Sequence, residues 1–219
     1  MDIKTGLIAM LPYLSLILLP LIATLSLSTA HADNLAQAER AYVRGDHSQA
    51  QAAYRRDAQR GVALAQFNYA MMLKRGEGVE RTEAWQPWLK KAATQGLPEA
   101  AYVLGLAFEN GEGLPRSQPD ATHWFLQAAK RGHTQAQLSV ATQYYLGRGT
   151  DRDMAQAAYW YEKAAQGGDV GAQYLIASMY EHGEGIATDR SQALLWYSAA
   201  ARQGDVAARL KAEAIARQR

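Results

Sequence analysis

The chain has 219 residues, room for one or two domains, with 23 basic against 21 acidic side chains and a formal net charge of +2. The two signs are interspersed, a balance without the basic stripe of a nucleic-acid binder. There is no cysteine, so a disulfide framework and a lipid-modified mature start are excluded, and the fold must stabilise itself by packing.

The first 32 residues differ from the rest. A short polar start with one lysine, MDIKT, precedes the apolar run GLIAMLPYLSLILLPLIATLSLS, and Ala30-His31-Ala32 then places small residues where a signal peptidase reads. This layout predicts a secretory signal peptide over 1–32, cleaved after Ala32, and a periplasmic or secreted protein with no stable membrane span. The apolar run is also long enough for a retained anchor. Pro12, Pro20 and the A-x-A site favour cleavage.

Residues 33–61 read as a degenerate opening hairpin. Tyr42, Gly45, Ala50, Tyr54 and Ala58 come in repeat order, with a short Gly45-Asp46 turn. From residue 62 the chain is periodic. Trp88, Trp124, Trp160 and Trp196 recur every 36 residues, as do Gly96, Gly132, Gly168 and Gly204. A G-x-G precedes each Trp: Gly76–Gly78, Gly111–Gly113, Gly147–Gly149 and Gly183–Gly185. A fixed period of this length predicts an all-α solenoid. Its four units run over about 62–96, 97–132, 133–168 and 169–204.

Each unit reads as two helices. Helix A carries Ala65, Ala100, Ala136 or Ala172, then a bulky residue four positions on (Tyr69, Leu104, Val140, Ile176) and a small one next to it (Ala70, Gly105, Ala141, Ala177). Leu73, Phe108, Tyr144 or Tyr180 completes the face, and the spacing puts all of these on one side of a helix. The first Gly of G-x-G is expected to end helix A in a left-handed conformation. Helix B is expected to start at the N-caps Ser117, Asp153 and Asp189. Its face runs Ala157, Trp160, Tyr161, Ala164, Ala165, with the Trp and Tyr as buried mass and Gly168 closing the end. Residues 205–219 read as one closing helix.

The first full repeat is irregular: one residue is missing between Gly78 and Trp88, Trp85 stands where Ala121, Ala157 and Ala193 stand, and Pro87 precedes the Trp. A late helix start accommodates all three. A second reading has the distortion present Trp85 to a partner.

The pattern A-x-x-x-[LVI]-[GA]-x-x-[YF]-x-x-G-x-G, then A-x-x-W-[YF]-x-x-A-A-x-x-G, resembles the Sel-one-like repeat family, relatives of tetratricopeptide repeats; Tyr69, Leu73 and Trp85 depart from it. The resemblance implies a right-handed superhelix of antiparallel helix pairs acting mostly as an adaptor. Secreted bacterial relatives resemble envelope-signalling regulators, export helpers, host-interaction factors or immunity proteins. A few cysteine-rich relatives bind β-lactams, whereas this chain has no Cys.

No catalytic or cofactor motif appears. His47, His123, His133 and His182 lack metal-ligand spacing, and His123 and His133 are placed at opposite ends of a helix B. Glu77, Glu112 and Glu184 sit mid-turn, with Arg148 interrupting their row, and read as solvated. No metal or cofactor is expected, and no enzyme activity.

Partner-binding candidates come from helix A columns outside the repeat signature, on what the tetratricopeptide analogy makes the concave side. Nine residues before each first turn Gly stand Phe67, Tyr102, Leu138 and Tyr174; five before stand Met71, Leu106, Thr142 and Ser178. Two before stand Lys74, Glu109, Tyr145 and Glu181, and eight before stand Asn68, Val103, Ser139 and Leu175. The apolar members suit a groove for a protein or peptide partner, with Lys74, Glu109 and Glu181 as rim charges. The nine-before column equally suits packing between repeats. A cell-wall or β-lactam-acting enzyme would need Ser139 or Ser178 paired with a base, and neither shows one in the sequence. A structural spacer is the third reading.

Overall fold

A computed structural model describes residues 29–78 and 83–217. Most of the expected signal peptide, residues 1–28, lies outside them, and the expected cleavage position falls in the first turn of the first helix. Among the described residues every element is a helix, eleven in all. They are α1 (Thr29–Val43), α2 (His47–Gln59), α3 (Ala63–Arg75), α4 (Trp85–Thr94), α5 (Pro98–Asn110), α6 (Gln118–Ala129), α7 (Thr134–Leu146), α8 (Met154–Gln166), α9 (Val170–His182), α10 (Arg190–Arg202) and α11 (Val206–Arg217). None is long and apolar enough to cross a membrane.

The chain divides into two units, Met1–Trp88 and Leu89–Arg219, with the boundary inside α4. In the first, α1, α2 and α3 pack in succession. Leu35, Ala38, Ala41, Ala50, Tyr54, Ala58, Ala65, Tyr69 and Met72 form its core, and Trp88 packs on it edge-to-face with Tyr69 at 5.5 Å. In the second, α5 to α11 pack each on the next, which is the solenoid arrangement expected.

The helix ends have local causes. Ser117 accepts from the Asp120 N–H, Asp153 from those of Ala155 and Gln156, and Asp189 from those of Ser191 and Gln192. Each thereby satisfies backbone donors that the helix cannot. Gly76, Gly111, Gly147 and Gly183 close the A helices at φ of 67–73°. α4 starts late, three residues before its Trp, where α6, α8 and α10 start six before theirs. Pro87 thus falls in a first turn, where its missing N–H costs nothing. Trp85 is half-buried, with the Lys74 ammonium 5.7 Å from its ring centre.

The second glycine of each turn has a different role from the first. A Cβ on Gly149 would lie 2.3 Å from the Gln118 carbonyl oxygen, and one on Gly185 would lie 2.1 Å from that of Met154. Gln118 and Met154 begin the B helices of the preceding repeats. The turn of one repeat is therefore seated on the helix start of the repeat before it. Side chains reinforce the seat: Thr122 Oγ1 donates to the Arg148 carbonyl at 3.2 Å, and in the first unit Gln51 Nε2 donates to that of Glu77 at 3.1 Å.

A buried amide ladder runs alongside. Gln66, Gln137 and Gln173, each next to the leading Ala of its A helix, donate to the carbonyls of Ala58, Ala129 and Ala165 at 3.2 Å. Those carbonyls end the previous B helix, where they also accept from the backbone N–H of Gly61, Gly132 and Gly168 at 3.0–3.1 Å. The second repeat has Ala101 at this place.

The deepest side chains are not the tryptophans. Trp160 is buried, but Trp88, Trp124 and Trp196 are only half-buried. The residue after each Trp goes further in: Leu89, Phe125 and Tyr197 are 0% exposed and Tyr161 is 3%. The small helix A residue opposite explains it. A Cβ on Gly105 would lie 2.4 Å from the Phe125 ring, so the glycine is the socket for that ring.

Candidate functional site

The helix A face of the second unit is built by contacts between successive A helices. Glu109 on α5 accepts from Gln143 Nε2 on α7 at 3.1 Å. Glu181 on α9 accepts from Lys211 Nζ on α11 at 3.0 Å and from the Tyr197 hydroxyl at 2.8 Å. Burial alone would raise the Glu181 pKa, but the Tyr197 and Lys211 hydrogen bonds and the Lys211 charge outweigh it and hold it below the usual range. Burial and the Glu181 carboxylate push the Tyr197 phenol up.

The structure sorts the expected groove residues. Phe67 and Val103 are 2% and 8% exposed and belong to the core. Tyr102 stacks on His133 at 4.4 Å and lies 5.7 Å from Phe125, and Tyr174 meets Tyr197 edge-on at 5.3 Å. The nine-before column is thus largely packing. Glu109 and Glu181 are held by neighbouring helices and are not loose rim charges. In the first unit Met71 and Lys74 are half-buried. In the second, Leu106, Leu138 and Tyr145 stay half-buried, and Leu175 is 38% exposed. Tyr145 lies 6.5 Å from the Tyr161 ring, and the Arg152 guanidinium is 5.9 Å from its centre.

Two expectations about polar residues change. Glu77 is not a solvated turn residue: the Tyr42 hydroxyl donates to its carboxylate at 3.1 Å, and Arg75 lies 4.0 Å away. Ser178 does have a neighbouring base, His182 Nδ1 at 3.4 Å, one helical turn on. That same Nδ1 lies 2.9 Å from the Ser178 carbonyl oxygen. An Nδ1 that donates to a carbonyl carries the proton, so it cannot also take one from the hydroxyl. Ser139 donates to the Gln135 carbonyl. Among the described residues no group of three or more His, Asp or Glu side chains gathers to hold a metal.

Sequence reasoning passed over Gln143. It is 3% exposed, in a column otherwise filled by Met72, Ala107 and Met179. The visible signal was one polar residue in a buried apolar column.

His133 is the N-cap of α7: the Ala136 N–H donates to its Nδ1 at 3.2 Å. Asp169 and Asp205 cap the next two A helices the same way. Burial lowers the His133 pKa, since a charged imidazole here would lose water, its acceptor role and a favourable helix end. The folded pKa lies below the unfolded one, so this stabilisation is complete above the unfolded value of about 6.5. It is lost as pH falls from there through the folded value. A thermal melt should therefore fall more between pH 7.5 and 5 for the native protein than for His133→Asp.

The Sel1 repeat matches residues 63–97, 98–133, 134–169 and 170–205 without a gap. The chain belongs to the Sel1 repeat family. Each matched unit opens on helix A and closes just past the glycine after helix B. A protective antigen of uropathogenic Escherichia coli with an SLR fold is similar over 86% of this chain, at 29% identity and a TM-score of 0.78. The chain spans 41% of that antigen's length. A Sel1 repeat protein from Oxalobacter formigenes is similar over 81% of this chain and 74% of its own, at 29% identity and a TM-score of 0.75. No curated protein matches the chain. Sel1 repeat proteins generally mediate protein–protein interaction.

Proposed function

We propose that this Sel1 repeat protein is an envelope or secreted scaffold that holds a peptide segment of a partner against the helix A face of its repeats. It acts by occupancy, not by chemistry. The observation that carries this reading is the set Leu106, Leu138, Tyr145 and Leu175, apolar helix A side chains left half-buried or exposed. An apolar, partly aromatic surface on a rigid helical stack is what a peptide groove requires. The Ser178–His182 geometry argues against a serine nucleophile. Placement in the envelope rests on the leader, and intact mass of the exported protein should correspond to a chain starting at Asp33.

The test is a Leu106→Ala/Tyr145→Ala double variant. Affinity for the partner segment should fall by at least tenfold, since one hot-spot side chain contributes about 2 kcal/mol. The melting temperature should stay within a few degrees. Unchanged affinity would remove this face as the binding surface.

A further inference from the structure

Glu109 and Glu181 occupy the same place in their repeats but differ in how they are neutralised. Glu181 is met within the chain by a cation, Lys211 Nζ, at 3.0 and 3.3 Å. Glu109 is met by the neutral amide of Gln143, and no ion pair is formed by its carboxylate among the described residues. The nearby Arg116 guanidinium donates instead to the Glu109 backbone carbonyl at 3.0 Å. Gln143 is itself unusual. It is 3% exposed, its Nε2 is turned to Glu109, and its Oε1 is buried without a donor. An orphaned acceptor in a column that elsewhere holds Met72, Ala107 and Met179 costs stability that an apolar residue would restore. Local conflicts of this kind are expected at functional or strained sites.

We propose that Glu109 and Gln143 form a subsite for a basic side chain of the partner segment, an arginine or lysine placed next to an apolar residue. This rests on the peptide-binding reading above. Lys211 on Glu181 is the intramolecular version of the same contact. Leu106 lies one turn before Glu109 on the same helix face, so the apolar neighbour of the basic residue sits there. A guanidinium has enough donors for the Glu109 carboxylate and, with a small shift of the amide, for Gln143 Oε1. A charged pair made on a half-buried carboxylate gains more than one made in open water.

The experiment uses the purified protein and an array of randomised ten-residue peptides, each pool with one fixed arginine, citrulline, leucine or glutamate. Citrulline keeps the shape of arginine and removes its charge. The arginine pool should bind about tenfold tighter than the citrulline pool, in line with a charge-assisted hydrogen bond. Glu109→Gln should erase that difference and keep the leucine preference, whereas Glu181→Gln should leave it intact. Gln143→Met should weaken the arginine preference while the protein still melts as a folded chain, a loss of selectivity that a purely structural amide would not give. Equal binding of the arginine and citrulline pools, with leucine still preferred, would overturn the basic subsite and leave the peptide-binding reading standing. An arginine preference equally reduced by Glu181→Gln would also overturn it, as a general charge effect. Absence of binding by every pool would overturn both.

Discussion

Gly185→Ala is expected to destabilise the protein by about 3–5 kcal/mol, whereas Gly204→Ala should cost about 1 kcal/mol. Both glycines have positive φ, +71° and +96°, so each substitution bears the strain of a left-handed side chain. Only at Gly185 is there an obstacle. Its new methyl would stand 2.1 Å from the Met154 carbonyl oxygen and 2.8 Å from the Ala155 nitrogen, while nothing lies within 4 Å at Gly204. The obstacle is backbone at the start of α8, which cannot rotate away. Relief requires the turn of the fourth repeat to lift off the third, so the damage falls on the contact between repeats. In a stack held by nearest-neighbour interfaces, that loss should separate α9–α11 from the rest in a urea titration. A Gly185→Ala protein with the Gly204→Ala midpoint and one sharp transition would show that the turns are not seated in this way.

The second large effect is at Phe125. Phe125→Ala should cost about 3–5 kcal/mol, the range for removing a buried aromatic ring. Trp124→Ala, though it deletes a larger side chain, should cost less. Phe125 is 0% exposed and fills the socket made by Gly105, whereas Trp124 is half-buried beside the exposed His123. Gly105→Ala should mimic part of the loss from the other side, by pushing the ring out. Circular dichroism melts of the three variants give the order. A Trp124→Ala protein less stable than Phe125→Ala would return the main packing role to the indole.

The architecture was legible because a repeat proclaims itself. The 36-residue spacing of Trp and Gly, the caps Ser117, Asp153 and Asp189, and the late start forced by Pro87 are all local signals, and each holds in the structure. What spacing could not reveal is depth. Adjacent positions of a helix lie about 100° apart, so Trp124 and Phe125 both fit an apolar face, and only the socket at Gly105 tells which goes in. The same limit affected the surface. Phe67 and Tyr102 share a column, yet one is core and the other stacks on a capping histidine. Glu109 and Glu181 look like rim charges until Gln143 and Lys211 are seen to reach them. Gln143 itself was visible as a polar intruder, but its meaning depends on an unmet acceptor that no sequence displays.

Hydrogen exchange with and without the tightest peptide from the array tests the binding face most directly. Added protection should concentrate in α5, α7 and α9, with α6, α8 and α10 unchanged. Protection confined to α6, α8 and α10 would contradict it, since the partner would then lie on the helix B side of the stack.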